Sequence, residues 1–174
     1  MKREVNVFDY AGDICKALPG GVLMTTKKGD QVNTMTIGWG HIGIEWGRPI
    51  FVAYVRDSRY THEMLADADE FTVNIPYGNV DKHILGYCGT KSGRDLNKIQ
   101  DLGLTLVESN NVSVPGIQEL PLTLECKVIY KMKQTAPGIP EDIQNRYYPK
   151  DIDGNQDLHD AFYGEILGAY LIEE

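Results

Sequence analysis

VLMTTKKGDQVNTMTIGW, from Val22 to Trp39, decides the fold of this chain. Two β-rich runs, residues 22–26 and 31–39, flank Lys27-Lys28-Gly29-Asp30, a polar link of hairpin length, so two antiparallel strands are the economical reading. Strand side chains alternate, which puts Asn33, Met35, Ile37 and Trp39 on one side of the second strand and Thr34, Thr36 and Gly38 on the other. An amide and an indole beside a glycine make this strand polar for a core element. Close backbone approach at Gly38 would offer N–H and C=O groups to the hydrogen-bonding edge of a planar heterocycle. Taken alone, the strand favours the plainer reading, with Trp39 in the core and Asn33 at a turn.

Working outward, residues 49–55, 71–75 and 121–130 read as further strands, with weaker signals at 104–107 and a last apolar run from Phe162 to residue 172 broken by Gly164 and Gly168. Short helices are expected at 9–18, at 61–66, and from an Asn79 cap through Ile84 and Leu85 toward Cys88. Residues 134–160, rich in Pro, Gly and Asp, form a long excursion, a kind of segment that often serves function. No regular strand-helix-strand alternation is present. The expected fold is therefore mainly β, a closed antiparallel barrel with short peripheral helices, in one domain over residues 1–174.

Composition narrows the function. The net charge of -8 disfavours general attraction to nucleic acid, so a phosphate-bearing ligand must be held by a few placed cations and amides. No apolar run approaches the ~20 residues of a membrane-spanning helix, and the first residues lack the apolar stretch of a secretory signal. A soluble, cytoplasmic protein is expected. Cys15, Cys88 and Cys126 lack CxxC spacing and read as reduced thiols, while His41, His62, His83 and His159 are scattered without a metal-ligand motif.

Two loops carry candidate chemistry. Arg56-Asp57-Ser58-Arg59-Tyr60-Thr61-His62 leads from a strand into a helix and offers N–H groups, hydroxyls and guanidinium groups suited to a phosphate monoester. From this loop alone, an equally good reading has Ser58 capping the helix while the arginines pair with Asp57 and Glu63. The second loop, Cys88-Gly89-Thr90-Lys91-Ser92-Gly93-Arg94-Asp95 followed by Lys98, can wrap a ligand at its glycines, and Lys98 can neutralise an anionic ring or reach a phosphate. It lacks the order of a Walker loop.

These segments together, Asn33-x-Met35-Thr36-x-x-Trp39, Arg56-x-Ser58-x-Tyr60-Thr61-His62, Phe71-Thr72-Val73-Asn74-Ile75-Pro76 and Cys88-Gly89-x-x-Ser92-Gly93-Arg94-Asp95-x-x-Lys98, resemble the flavoredoxin branch of the flavin reductase family. The resemblance implies a Greek-key split β-barrel that binds FMN noncovalently near the interface of a homodimer. It implies that Asn33, Thr34, Met35, Thr36 and Trp39 lie along the isoalloxazine and ribityl chain, and that Arg56, Ser58, Thr61 and His62 surround the phosphate. Cys88, Gly89, Ser92, Gly93 and Lys98 would close over the ring or reach across the interface, and Phe162 would stand near the flavin. No catalytic residue and no metal are assigned.

The chain departs from the family pattern after Tyr130: many relatives carry an Asp-His pair before the last strand, where this sequence has His159-Asp160. The implied function is an FMN-dependent oxidoreductase that accepts hydride from NAD(P)H as a transient substrate and passes electrons to flavin or to a protein acceptor. The alternative is a flavoredoxin-like electron carrier with no nicotinamide turnover. No Rossmann glycine fingerprint is present, which is compatible with transient nicotinamide docking. A haem-binding barrel is a third reading, unsupported by any axial-ligand motif.

Overall fold

The computed structural model describes residues 1–173. Its strands are β1 (Lys2–Glu4), β2 (Val22–Lys28), β3 (Gln31–Ile37), β4 (Gly40–Glu45), β5 (Arg48–Arg56), β6 (Glu70–Ile75), β7 (Leu106–Val107), β8 (Gly116–Ile117), β9 (Leu122–Lys133) and β10 (His159–Ile172). The helices are α1 (Ala11–Ala17), α2 (Tyr60–Asp67), α3 (Lys82–Thr90), α4 (Lys98–Asp101) and α5 (Glu141–Tyr147). Strands run in the order β3-β2-β6-β9-β10-β5-β4, all antiparallel, with β1 added to β10 and a separate β7-β8 pair. This is the expected Greek-key split β-barrel with short peripheral helices.

Alternation fills the barrel. Met24, Met35, Phe51, Phe71, Val73, Leu124, Cys126 and Phe162 project into one buried cluster, which Ile14 of α1 and Leu18 join from outside the sheet. The opposite face of β2, β3, β6 and β9 is also buried, yet polar. Thr25 Oγ lies 3.0 Å from both Thr34 Oγ and Asn74 Oδ1, Asn74 Nδ2 donates to Thr123 Oγ at 3.0 Å, and Thr72 Oγ donates to the Pro115 carbonyl at 2.8 Å. Because each of these buried groups has a partner, the layer fastens the segment carrying β8 instead of weakening the sheet.

β10 is long because it changes partner. It pairs with β5 from His159 to Glu165 and with β1 from Tyr170 to Ile172, and β9 accompanies it with register shifts at Tyr163/Gly164 and Ile166/Gly168. The two glycines that interrupt its apolar pattern sit at these irregularities, where a Cβ on Gly164 would lie 2.5 Å from Phe71 and 2.9 Å from the Cys126 Cβ.

Several sequence expectations change. β3 ends at Ile37, so Trp39 stands in the two-residue link to β4, a strand the sequence reading missed because its glycines weaken the pattern. Asp81, not Asn79, caps α3, its carboxylate accepting the His83 N–H at 2.8 Å. The last strand starts at His159, three residues before Phe162. The excursion is not all loop, since it contains α5.

Gly164→Ala is expected to destabilise the barrel by about 1–3 kcal/mol through overpacking, read as a lower urea midpoint at unchanged slope. An unchanged midpoint would mean that the bulge absorbs the methyl group.

Candidate functional site

Among the described residues β3 bonds to β2 alone, leaving its second edge without a strand partner. From Met35 to Ile37 this edge borders a cavity of about 170 Å³, closed by Gly38, Trp39, Tyr54, Arg56, Arg59 and His159. Nearer the hairpin, a second cavity of about 400 Å³ is bordered by Asn33, Thr34, Gly93, Arg94 and Lys98. The sequence-predicted strand and its two loops thus converge on one seam of the barrel.

The first loop is held by the excursion. Arg56 donates to the Asp157 carbonyl at 2.7 Å and to the Tyr147 carbonyl at 2.8 Å. The Asp157 carboxylate accepts the Ser58 N–H at 3.1 Å and the Ser58 hydroxyl at 2.7 Å, and lies 3.9 Å from the Arg56 guanidinium. Thr61 is buried and accepts from Asn33 Nδ2 at 3.0 Å, which ties the loop to β3. His62 has carboxylates about it in place of the expected phosphate surroundings: Nε2 is 3.0 Å from Asp160 Oδ2 and 3.3 Å from Asp57 Oδ1. The three groups bring potential ligand atoms within 4.8 Å, but His62 and Lys133, 3.5 Å from Asp57, already serve these carboxylates.

The second loop wraps the edge of β3, meeting Thr36 on one face and Asn33 on the other. Thr36 donates to the Leu85 carbonyl at 2.6 Å, Gly89 lies against Thr36, and Gly93 is seated so closely on Asn33 that a Cβ there would be 2.1 Å from Oδ1. Arg94 bridges the loops, donating to the Ser58 carbonyl at 3.0 Å and pairing with Glu63, while Ser92 Oγ accepts the Arg94 N–H at 3.2 Å. Cys88 faces an apolar cluster, and burial pushes its thiol up to about 11 against the opposing charge of Lys98, so it is no nucleophile.

Lys98 is the unusual member. Only 4% exposed, it reaches the Lys91 and Cys88 carbonyls at 3.3 and 3.5 Å, and no carboxylate pairs with it among the described residues. Burial, and secondarily the charge of Arg59, pushes its pKa down. Arg59 is exposed and has no side-chain hydrogen bond or ion pair among the described residues. A buried ammonium with no carboxylate beside it among the described residues is a group that an anionic ligand would compensate.

Of the expected site residues, Met35, Thr36, Trp39 and Arg56 border the first cavity, and Asn33, Thr34, Gly93 and Lys98 the second. Cys88, Thr61 and Phe162 lie inside the fold, and the Thr34 hydroxyl is locked in the polar layer. Arg59 stands among the loop groups the sequence offered to a phosphate and His159 marks the departure from the family pattern, but the sequence held no signal for Asp157 or Tyr148. His159 packs against Trp39 with ring centres 4.8 Å apart and planes tilted by 43°, and its Nδ1 is 2.8 Å from the Tyr148 hydroxyl.

Burial first, and the Arg56 charge second, lower the His159 pKa to about 4 from an ordinary value of 6.5. Its contribution to stability is then complete above pH 6.5 and declines as pH falls toward 4, because the unfolded chain binds the proton more readily. His159→Phe should flatten acid destabilisation in that window, and an NMR titration of the wild-type imidazole near pH 6.5 would contradict the burial argument.

The chain is similar to known proteins over most of its length. It is 35% identical over 104 residues to an uncharacterized protein of Archaeoglobus fulgidus, covering 60% of this chain but only 58% of that relative. Among solved structures, flavoredoxin from Methanosarcina acetivorans matches with 26% identity and a TM-score of 0.64, over 88% of this chain and 68% of that one. An FMN-binding domain of flavin reductases-like enzyme from Shewanella baltica matches with 19% identity and a TM-score of 0.65, over 98% and 77%, and supports the fold alone. Residues 16–174 match the flavin reductase like domain, and the chain belongs to that family.

Proposed function

We propose that this protein binds FMN noncovalently at the β3 seam and acts as an FMN-dependent oxidoreductase, taking hydride from NAD(P)H and passing electrons to free flavin or a protein acceptor. The observation that carries the reading is Lys98, a buried cation without a carboxylate partner, beside a strand edge with backbone groups to offer. Family membership supports flavin as the ligand.

The residues present fit such a group. The Ser58 turn already binds one anion, the Asp157 carboxylate, through an N–H and a hydroxyl, with Arg56 alongside, so Ser58, Arg56 and Arg59 would hold the phosphate. The free edge of Met35–Ile37 would meet the polar rim of the ring system, and Lys98 would balance negative charge on it. Flavin supplies the hydride and electron chemistry when bound; the protein orients it, screens it from water and sets its electrostatics. Trp39, Tyr147, Tyr148 and His159 form the screen, with Trp39 meeting Tyr147 edge-on at 5.1 Å.

A specific observation favours a second reading, the electron carrier. The cavity along Met35–Ile37 is about 170 Å³ and is walled by Trp39 and His159, which would leave little opening there for a nicotinamide beside a bound flavin. A carrier needs no such opening.

Anaerobic addition of NADH or NADPH to FMN-loaded protein decides between them: bleaching of the flavin bands supports the reductase, and bands that persist while a reduced redox protein bleaches them support the carrier. Protein that stays colourless after FMN addition removes both. Arg59→Ala should weaken FMN about 10- to 100-fold, the loss of one charged hydrogen bond of about 1.5–3 kcal/mol, and leave riboflavin affinity unchanged. Equal binding of FMN by wild type and variant would take Arg59 out of the site.

A further inference from the structure

The excursion between β9 and β10 is internally tied and fastened to the barrel largely at the candidate site. Gln144 Nε2 donates to the Ala136 and Ile139 carbonyls at 2.9 and 2.7 Å, and Gln156 Nε2 donates to the Tyr148 carbonyl at 2.7 Å. Its contacts with the barrel include Arg56 with the Tyr147 and Asp157 carbonyls, Ser58 with the Asp157 carboxylate, the Asp57 N–H with the Leu158 carbonyl at 3.0 Å, and Tyr148 with His159. Each of these contacts involves the phosphate turn or the wall of the adjoining cavity.

Asp157 makes the contacts an anionic oxygen pair would make. One carboxylate oxygen accepts a backbone N–H, the other a hydroxyl, and a guanidinium stands 3.9 Å away. A phosphate monoester on the Ser58 turn would need the same donors, and two anions brought onto them would compete for those donors and repel at close range.

We propose that Asp157 is an internal competitor for the phosphate subsite, and that the 134–158 segment is a strap released when a phosphate-bearing flavin takes its place. This rests on the flavin reading above and goes beyond it. Exchange of one anion for another keeps the Ser58 donors satisfied in both states, so the turn itself loses no hydrogen bond when Asp157 leaves. Displacement frees Asp157, and with it the hold that Ser58 exerts on the Tyr147–Leu158 region over Trp39. Phosphate binding and uncovering of the aromatic screen then become one event, and affinity for the phosphate ester is reduced by the work of displacing the strap.

The test is titration of purified apo-protein with FMN and with riboflavin, which lacks the phosphate, in wild type and in Asp157→Asn, which keeps the shape and removes the charge. The expected result is at least tenfold tighter FMN binding by the variant with riboflavin affinity unchanged. Equal or weaker FMN binding by the variant overturns the competition, and so does an equal gain for riboflavin, which would mean simple loosening of the cover. Binding of neither flavin by either protein overturns the flavin reading itself. A second measurement needs no variant: saturating FMN, but not riboflavin, should speed tryptic cleavage of wild-type protein at Arg146 and Lys150, whereas protection there by FMN would overturn the release.

Discussion

Everything at the site follows from two consecutive strands that do not pair. β3 and β4 are joined by Gly38 and Trp39 alone, yet they stand at opposite ends of the strand order, each bonded to its own hairpin partner. A sheet curled this way has a seam with free backbone groups on β3, which would elsewhere invite aggregation or an added strand. Here the seam is covered by the first loop, by α3 and its loop, and by the excursion. Buried backbone and side-chain groups demand partners, so the covering segments come to rest where polar donors converge. Binding capacity is thus a consequence of the topology before it is a property of any side chain.

Charge sharpens this. The chain carries a net charge of -8, and most of its cations have carboxylate or carbonyl partners on the surface, but among the described residues Lys98 is buried on carbonyl contacts alone and the exposed Arg59 has no ion pair. A buried ammonium disfavours its own charged form, a cost that folding accepts only where other interactions compensate. The polar layer of Thr25, Thr34, Asn74 and Thr123 supplies rigidity beneath: it is fully buried and hydrogen-bonded, so the strand bearing Asn33 has little freedom to relax around the cation.

How much of this was legible in the sequence varies with the range of the interactions involved. The β2-β3 hairpin, α2 and β9 were readable because their patterns are local, and Gly164 and Gly168 flagged irregularity in β10 correctly. β4 was not, since two glycines within six residues and an exposed Trp46 hid a strand whose existence depends on β5 beside it. The loops of the site were found, but their partners were not: Asp157 meets Ser58 across 99 residues and Asp160 meets His62 across 98, and no local pattern encodes either pairing. For the same reason His62 and Arg56 both read as phosphate ligands, although each is engaged by chain arriving from beyond residue 146.

The reductase and carrier readings also turn on that late segment. A nicotinamide must stack on the flavin face, whereas electron exchange with a protein needs only a close, dry approach to the ring edge. Tyr147, Tyr148 and His159 pack about Trp39 at one wall of the seam, so the position of this aromatic cluster bears on which of the two approaches is open. If phosphate binding releases the strap, the two activities cease to be alternatives of fold and become states of one molecule, separated by which anion sits on Ser58. The balance between them is then set by the 134–158 segment, which meets the barrel at Arg56, Asp57 and Ser58.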